Sequence, residues 1–398
     1  MTMRPEVELL LCCARPKLAK HQVDKIHRLF EQPVEWDFVV ELINRHALHP
    51  LAYLNFKTYG ADRVPGYLLD WLRVFCEQVA IGNLMRTGQL VGLLEQFQAA
   101  GINVVPYKGP LLTQLLYGDP ALRLYGDLDL LVPAGQVRQA KQLLQDAGYI
   151  QSWPKQKLTL AQEQLHLKTK YNFQFRRAAD ELAIELHWAV TPNYLHCPPN
   201  HAWLWERLLP STLAGHPVTS FPPEEMLMVL CLHGSNHCWI KLSWVVDIAQ
   251  LIRRYPALDW LYALNLARRW HGQRMLWLGL HLVHTLLDVE LPEAVQKVIQ
   301  ADQEVEKLAE AICERLFSRE YCYFSAFEEP LLHLRMRERW LDRLRYGWAM
   351  LTPTAKDIEC LPLPQRLEFL YYLIRPARLL YEHGAKPWRR GASSWLKK

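Results

Sequence analysis

Asp127 and Asp129 stand two residues apart in the stretch Asp127-Leu128-Asp129-Leu130-Leu131-Val132. Residues two apart in an extended strand project from one face, so this spacing sets two carboxylates side by side while Leu128 turns toward a core. Such a pair suits a hard cation, because Mg²⁺ takes oxygen ligands and is commonly held by one or two carboxylates plus substrate phosphates. Glu185 alternates with Ile184 and Leu186 and supplies a third carboxylate from another strand. Three carboxylates can seat two ions about 3.5–4 Å apart, one activating an attacking hydroxyl and the other neutralising a triphosphate during in-line displacement. The expected metal ligands are therefore Asp127, Asp129 and Glu185, with Mg²⁺ or Mn²⁺ as the ion and a nucleoside triphosphate as co-substrate. Taken alone, two aspartates on a strand read more readily as a solvent-facing edge.

The neighbouring basic residues favour the metal reading. A strand ending in Lys108-Gly109 opens directly onto a short helix, so helix N–H groups and the Lys108 ammonium can both meet phosphate. Arg123, just upstream of the aspartates, is a partner for them or for a triphosphate. His187 shares the face of Glu185 and reads as a general base, as a partner of the metal ligands, or as a core histidine. Farther along, His233 and His237 lie four apart on one helix face. With Trp239 they are candidates for an acceptor pocket, and Lys241 is a candidate phosphate ligand. With Asp247 the same histidines would make a zinc hydrolase site, a competing reading that lacks the HExxH pattern. Trp239 and Trp244 read more naturally as core than as nucleobase platforms.

These side chains need elements to hold them. Residues 35–99 repeat apolar positions at three and four spacing, broken at Pro65-Gly66 and ended at Ala99-Ala100-Gly101, and predict helices. The β-branched run from Ile102 predicts a first strand, and Pro110 to Tyr117 a short helix after it. The aspartates fall on a second strand. Residues 136–147 predict a helix closed by Gly148, and 171–177 with 182–188 a hairpin that carries Glu185 on a fourth strand. From Pro222-Pro223 onward the pattern is helical at 224–237, 242–254, 258–271, 273–287 and 294–316, with more beyond Leu331.

The bulk composition sets the remaining bounds. A chain of 398 residues allows two to three folding units. Its net charge of +5, from 46 basic and 41 acidic residues, is too mild and mixed for a dedicated nucleic-acid binder. Only the tail from Lys386 to Lys398 is basic enough to touch a phosphate or a lipid head group, and the commoner reading of such a run is a solvated end. Nine cysteines without a CxxC pair point to a reducing compartment. No signal peptide or membrane span is evident, so the expected location is cytoplasmic.

Val105-Pro106-Tyr107-Lys108-Gly109-Pro110-Leu111-Leu112, Leu116-Tyr117-Gly118-Asp119-Pro120, Arg123 and the aspartate strand together resemble the uncharacterised nucleotidyltransferase family of the DNA polymerase β superfamily. Ile184-Glu185-Leu186-His187-Trp188 is similar to that family's later strand, and the likeness extends through His233-Gly234, His237, Trp239, Lys241-Leu242, Trp244 and Asp247. The resemblance implies an α+β fold, a small mixed β-sheet palm at 101–190 flanked by helical regions at 1–100, 191–300 and 301–398. It implies Asp127 and Asp129 binding both ions, Glu185 helping to hold the catalytic one, and Lys241 facing the palm from the helical lobe. The chain departs from better-known superfamily members in having Lys108-Gly109 where they have Gly-Ser, and Gly126 where they often have Ser. The function implied is transfer of a nucleoside monophosphate from an NTP to a small-molecule or protein acceptor. The alternative is a catalytically silent nucleotide- or partner-binding module of the same fold.

Overall fold

In the computed structural model the alternation around the acidic residues becomes a five-stranded mixed sheet. The structure describes residues 3–384 apart from 156–157, 179–181, 193–194, 196–201, 320–327, 355–356, 358–359, 362 and 364. The basic tail and the hairpin turn at 179–181 thus lie outside the described residues. The strands are β1 (Val105–Pro106), β2 (Asp127–Leu131), β3 (Ile150–Trp153), β4 (Asn172–Arg176) and β5 (Ala183–His187), in the order β1-β2-β5-β4-β3. β2 and β5 run parallel, and the other pairs are antiparallel. Glu185 therefore lies on the fifth strand, not the fourth. The extra strand is β3, whose Ile150 is 68% exposed at the sheet edge, so its residues show no buried alternation to read.

The two faces of the sheet differ. Leu128, Leu130, Phe173, Phe175, Ile184 and Leu186 are completely buried in one apolar cluster. That cluster is completed by Leu90 and Phe97 of a 34-residue helix (Gly66–Ala99) and by Val137, Ala140 and Leu144 of another (Val137–Asp146). The opposite face carries the acids. Five helices precede the sheet: α1 (Pro5–Cys13), α2 (Lys20–Phe30), α3 (Trp36–His46), α4 (His49–Tyr59) and the long one, α5. Three more are interleaved with the strands: α6 (Gly109–Tyr117), α7 (Val137–Asp146) and α8 (Leu160–Thr169). α8 opens on a capping box in which Thr159 accepts from the Gln162 amide, a start signal the sequence reading passed over.

After the sheet come α9 (Ala202–Glu206) and a two-stranded hairpin of β6 (Leu209–Leu213) and β7 (His216–Ser220). This hairpin was not anticipated, because Pro210 and Pro217 sit inside its strands. The lobe follows as α10 (Pro223–Asn236), α11 (Leu242–Arg254), α12 (Trp260–Arg269), α13 (Gln273–Leu287), α14 (Glu293–Gln300) and α15 (Gln303–Phe317). The single helix expected at 294–316 is thus two, because the Asp302 side chain caps a new start by accepting from the Glu304 amide. α16 (Glu328–Arg335), α17 (Trp340–Leu351) and α18 (Tyr371–Gly384) close the described chain. Leu10, Leu42 and Phe56 of the N-terminal helices share one apolar cluster with Leu230, Leu278 and Val283 of the lobe, so the two helical regions are buried together. Among the described residues no helix is long and apolar enough to cross a membrane.

Candidate active site

Strand register lays the polar face out as a row. Asp129 is directly opposite Glu185, Glu185 opposite Gln174, and Gln174 opposite Trp153, so four strands contribute one side chain each to the same line. One position toward the strand ends, His187 lies opposite Asn172. β5 alternates throughout and β2 as far as Leu130, so a one-residue slip would turn Asp129 and Glu185 into the apolar cluster.

Asp129 is almost fully buried and is held on two sides. The Lys108 ammonium lies 2.9 Å from its Oδ1, and His187 Nε2 lies 3.2 Å from the same oxygen. Burial alone would raise the Asp129 carboxyl, but these cations hold it far below the usual carboxylate range. His187 Nε2 is also 3.2 Å from Glu185 Oε2. Burial works against charge on this ring, yet the two carboxylates raise its pKa above the ordinary value. Its other nitrogen, Nδ1, is buried without a hydrogen-bond partner. The strand histidine thus stands between two acids as their shared donor. Glu185 is fixed further by β4, where Gln174 Nε2 donates to Oε1 at 2.8 Å and Asn172 Nδ2 to Oε2 at 3.1 Å.

Asp127 differs from both. No hydrogen bond or ion pair reaches its carboxylate from any described residue. Burial and the charge of Asp129 push its carboxyl up to about 6. Among the described residues, one group of three side chains brings ligand atoms within 4.8 Å of one another: Asp129, Glu185 and His187. Asp127 lies outside that cluster but on the wall of the same cavity. The donors fit Mg²⁺ or Mn²⁺. Hard oxygens dominate, and the unpartnered Asp127 beside Asp129 is a like-charge contact that a divalent ion would relieve.

The basic turn is built by one glycine. Gly109 has φ +53°, and a Cβ there would stand 3.1 Å from the Asp127 carbonyl oxygen, so the start of α6 can lie against β2 only without a side chain. Lys108 precedes it as the N-cap residue, and the first N–H groups of the helix lack intrahelical partners. Arg123 was expected near the acids or a triphosphate. Its Nε and Nη2 instead both grip Asp247 of α11 at 2.9 Å, and Tyr117 donates to the same carboxylate at 2.8 Å. Its Nη1 is buried without a partner, and Arg123 lines the cavity. The loop that carries Arg123 hangs on Asn83 of α5, whose Nδ2 donates to the carbonyls of Pro120 and Arg123 at 2.7 and 2.9 Å. Nothing local in the sequence marked Asn83.

The lobe forms the roof. Between α10 and α11, Cys238 and Trp239 both adopt left-handed backbone, at φ 50° and 54°. Trp239 is fully buried, and a Cβ at Gly234 would come within 2.5 Å of its ring and one at Gly279 within 3.1 Å. Trp239 is therefore not an acceptor-pocket residue: it is a peg driven between α10 and α13 that fixes the turn. That turn aims His233, His237, Lys241 and Trp244 into the cavity. The His233 and His237 rings sit 4.7 Å apart, edge to face, both against Trp244. Burial, then Lys108, pushes the His233 pKa well down, and burial lowers that of His237 to about 4, so both rings disfavour a charge. The zinc reading fails on Asp247, whose carboxylate is taken by Arg123 and Tyr117.

Floor and roof enclose a cavity of about 600 Å³, within the range of small-molecule sites. Besides the residues already named, Trp153, Thr169, Lys170, Tyr171, Asn172 and Gln174 line it. The model of a protein family described as an uncharacterised nucleotidyltransferase matches residues 32–288, which is more than half of the chain. The chain belongs to that family. No curated protein and no solved structure matches it.

Proposed function

We propose, from the premise of membership in this nucleotidyltransferase family, that the chain moves a nucleoside monophosphate from an NTP to a hydroxyl-bearing acceptor in the cavity between sheet and lobe. The observation that carries this reading is the open acidic floor beside the Gly109 turn: carboxylates for a divalent ion adjoin donors for a triphosphate. Asp127, Asp129 and Glu185 would hold the ion, and when bound it would supply charge for the triphosphate and acidity for the attacking hydroxyl. The chain's own groups do the rest. The helix start at Gly109, the Lys108 ammonium, the spare Nη1 of Arg123 and Lys241 on the lobe receive the phosphates. Gln174, Asn172 and His187 keep the Glu185 oxygens aimed, which is positioning rather than proton transfer. The acceptor oxygen bonds to the α-phosphorus and the bond from that phosphorus to the bridging oxygen breaks. Pyrophosphate leaves with the electron pair, and the acceptor's proton passes to water in the cavity.

The test is incubation with labelled ATP, GTP, CTP or UTP and Mg²⁺, using the native chain and Asp129→Ala. Mg²⁺-dependent nucleotide binding that is lost in the variant supports the reading. Binding indifferent to both Mg²⁺ and the substitution overturns it.

A further inference from the structure

The row of side chains across the sheet has a direction, and in-line displacement gives that direction chemical meaning. The attacking and leaving oxygens must lie on opposite sides of the phosphorus. At one end of the row stand Lys108 and the start of α6, beside β1 and β2, where phosphate donors converge. Asp129 and Glu185 occupy the middle, on β2 and β5. Gln174 on β4 and Trp153 on β3 come next, about two strand spacings or 10 Å beyond β5. If pyrophosphate departs toward Lys108, the acceptor approaches from the β4–β3 end.

That end has its own equipment. Lys170, at the close of α8, lines the cavity, and its Nζ stands 5.8 Å from the centre of the Trp153 ring. No hydrogen bond or ion pair reaches its ammonium from any described residue. Tyr171 and Thr169 flank it on the same wall. Of the charged side chains acting on Lys170, two are guanidiniums, Arg375 and Arg378 of α18, and one is a carboxylate, Asp357. Asp357 is fully buried and already answers both arginines, at 3.0 and 2.7 Å. Asp357 is thus turned to the two arginines and not to Lys170. Burial, and then Arg375, lowers the Lys170 pKa, the direction expected of an ammonium short of a counter-charge.

We propose that the wall of Lys170, Thr169, Tyr171 and Trp153 is the acceptor seat, and that the acceptor is a small hydroxyl compound bearing an oxyanion, which pairs with Lys170. This rests on the nucleotidyl-transfer reading for the identity of the occupant, though not for the existence of the seat. Trp153 offers a flat apolar surface to the body of such a compound, and Asn172 and Gln174 lie between the seat and Glu185.

The experiment uses the full chain saturated with Mg²⁺ and a non-hydrolysable ATP analogue, with inorganic phosphate as the probe, titrated calorimetrically. Phosphate is expected to bind, Lys170→Met to weaken it roughly 10–100-fold, the loss of one charge-assisted contact, and Lys170→Arg to retain it. Lys297→Met, at an exposed lysine of α14 remote from the cavity, should leave phosphate binding unchanged, and thermal melting of each variant checks that it is folded. Equal phosphate affinity in native chain and Lys170→Met, or no phosphate binding in a nucleotide-loaded chain, overturns the seat and leaves nucleotidyl transfer standing. If the nucleotide analogue itself does not bind, the functional reading falls. Phosphate titrated alone against Lys170→Met and Lys108→Met then still decides the seat: loss confined to the Lys108 variant overturns it.

Discussion

Two of the buried polar clusters among the described residues contrast, one closed and one open. In the closed cluster, Asp247 accepts from Nε and Nη2 of Arg123 and from the Tyr117 hydroxyl, tying the loop before β2 and the end of α6 to α11 of the lobe. His46 is closed in the same sense. Its Nδ1 accepts from the Leu242 amide at 3.2 Å, and its Nε2 lies 3.0 Å from the Leu316 carbonyl, so one neutral tautomer satisfies both. In the open cluster, Asp129 and Glu185 share Lys108 and His187, and Asp127 is left without a hydrogen bond from any described residue. A closed cluster spends its charges on holding elements together. An open one keeps a surplus for something that arrives later, and so costs stability while it waits.

The contrast can be broken by exchanging the consequences of the two clusters. Asp129→Asn should abolish measurable nucleotidyl transfer, a loss greater than the 10–100-fold typical of outer partners of a metal site, in a chain that still melts cooperatively. Labelled-NTP assays and calorimetric melting check the two halves, and unfolding without loss of transfer would reverse the assignment. Asp247→Ala should do the opposite. Leaving Arg123 buried and unpaired costs about 3–5 kcal/mol in urea unfolding. A stability change under ~1 kcal/mol would mean that the cluster is not the tie between palm and lobe.

Acid should act on His46, closed in the same sense as the Asp247 cluster. Burial, above all, lowers the His46 pKa from 6.5 to about 3. The unfolded chain therefore binds a proton that the native chain refuses, and stability is full above about 6.5 and declines as pH falls toward 3. The slope is about 1.4 kcal/mol per pH unit for this ring, or roughly 2 kcal/mol between pH 6.5 and 5. Urea titrations at several pH values should show that slope diminished in His46→Gln. The smallest effect sharpens the role of the peg: Gly234→Ala pushes a methyl into Trp239 and should cost about 1–3 kcal/mol. Because the same turn carries Lys241, the KM for nucleotide should rise with it.

The parts of the site that sequence made legible are those written in local alternation. Asp127, Asp129, Glu185 and His187 fall on one face because each alternates with leucine or isoleucine, and the sheet keeps that phase. The cluster of ligand atoms nevertheless takes His187 in place of Asp127, a matter of side-chain reach that alternation does not encode. The Arg123 and Asp247 partnership crosses 124 residues, and no local pattern foretells it. Trp239 was assigned to the pocket from its place in a motif. Its real role depends on two glycines on different helices making a notch, visible only once α10 and α13 are packed. β3 went unread for the opposite reason, because an exposed edge strand places too little apolar surface inside to leave a pattern.

The parallel pairing of β2 with β5 also bears on how the chain comes to be folded. β4 and β5 lie close in sequence and pair within a local stretch, whereas Asp129 and His187 meet across 58 residues. Closing that long loop is entropically slow, and parallel strands need a crossover before they can meet. The acidic floor therefore forms only when the last long-range pairing of the sheet closes. A nascent or partly folded chain would have Asp129 without Glu185, and would neither capture a divalent ion nor expose a working site before the whole sheet is in place.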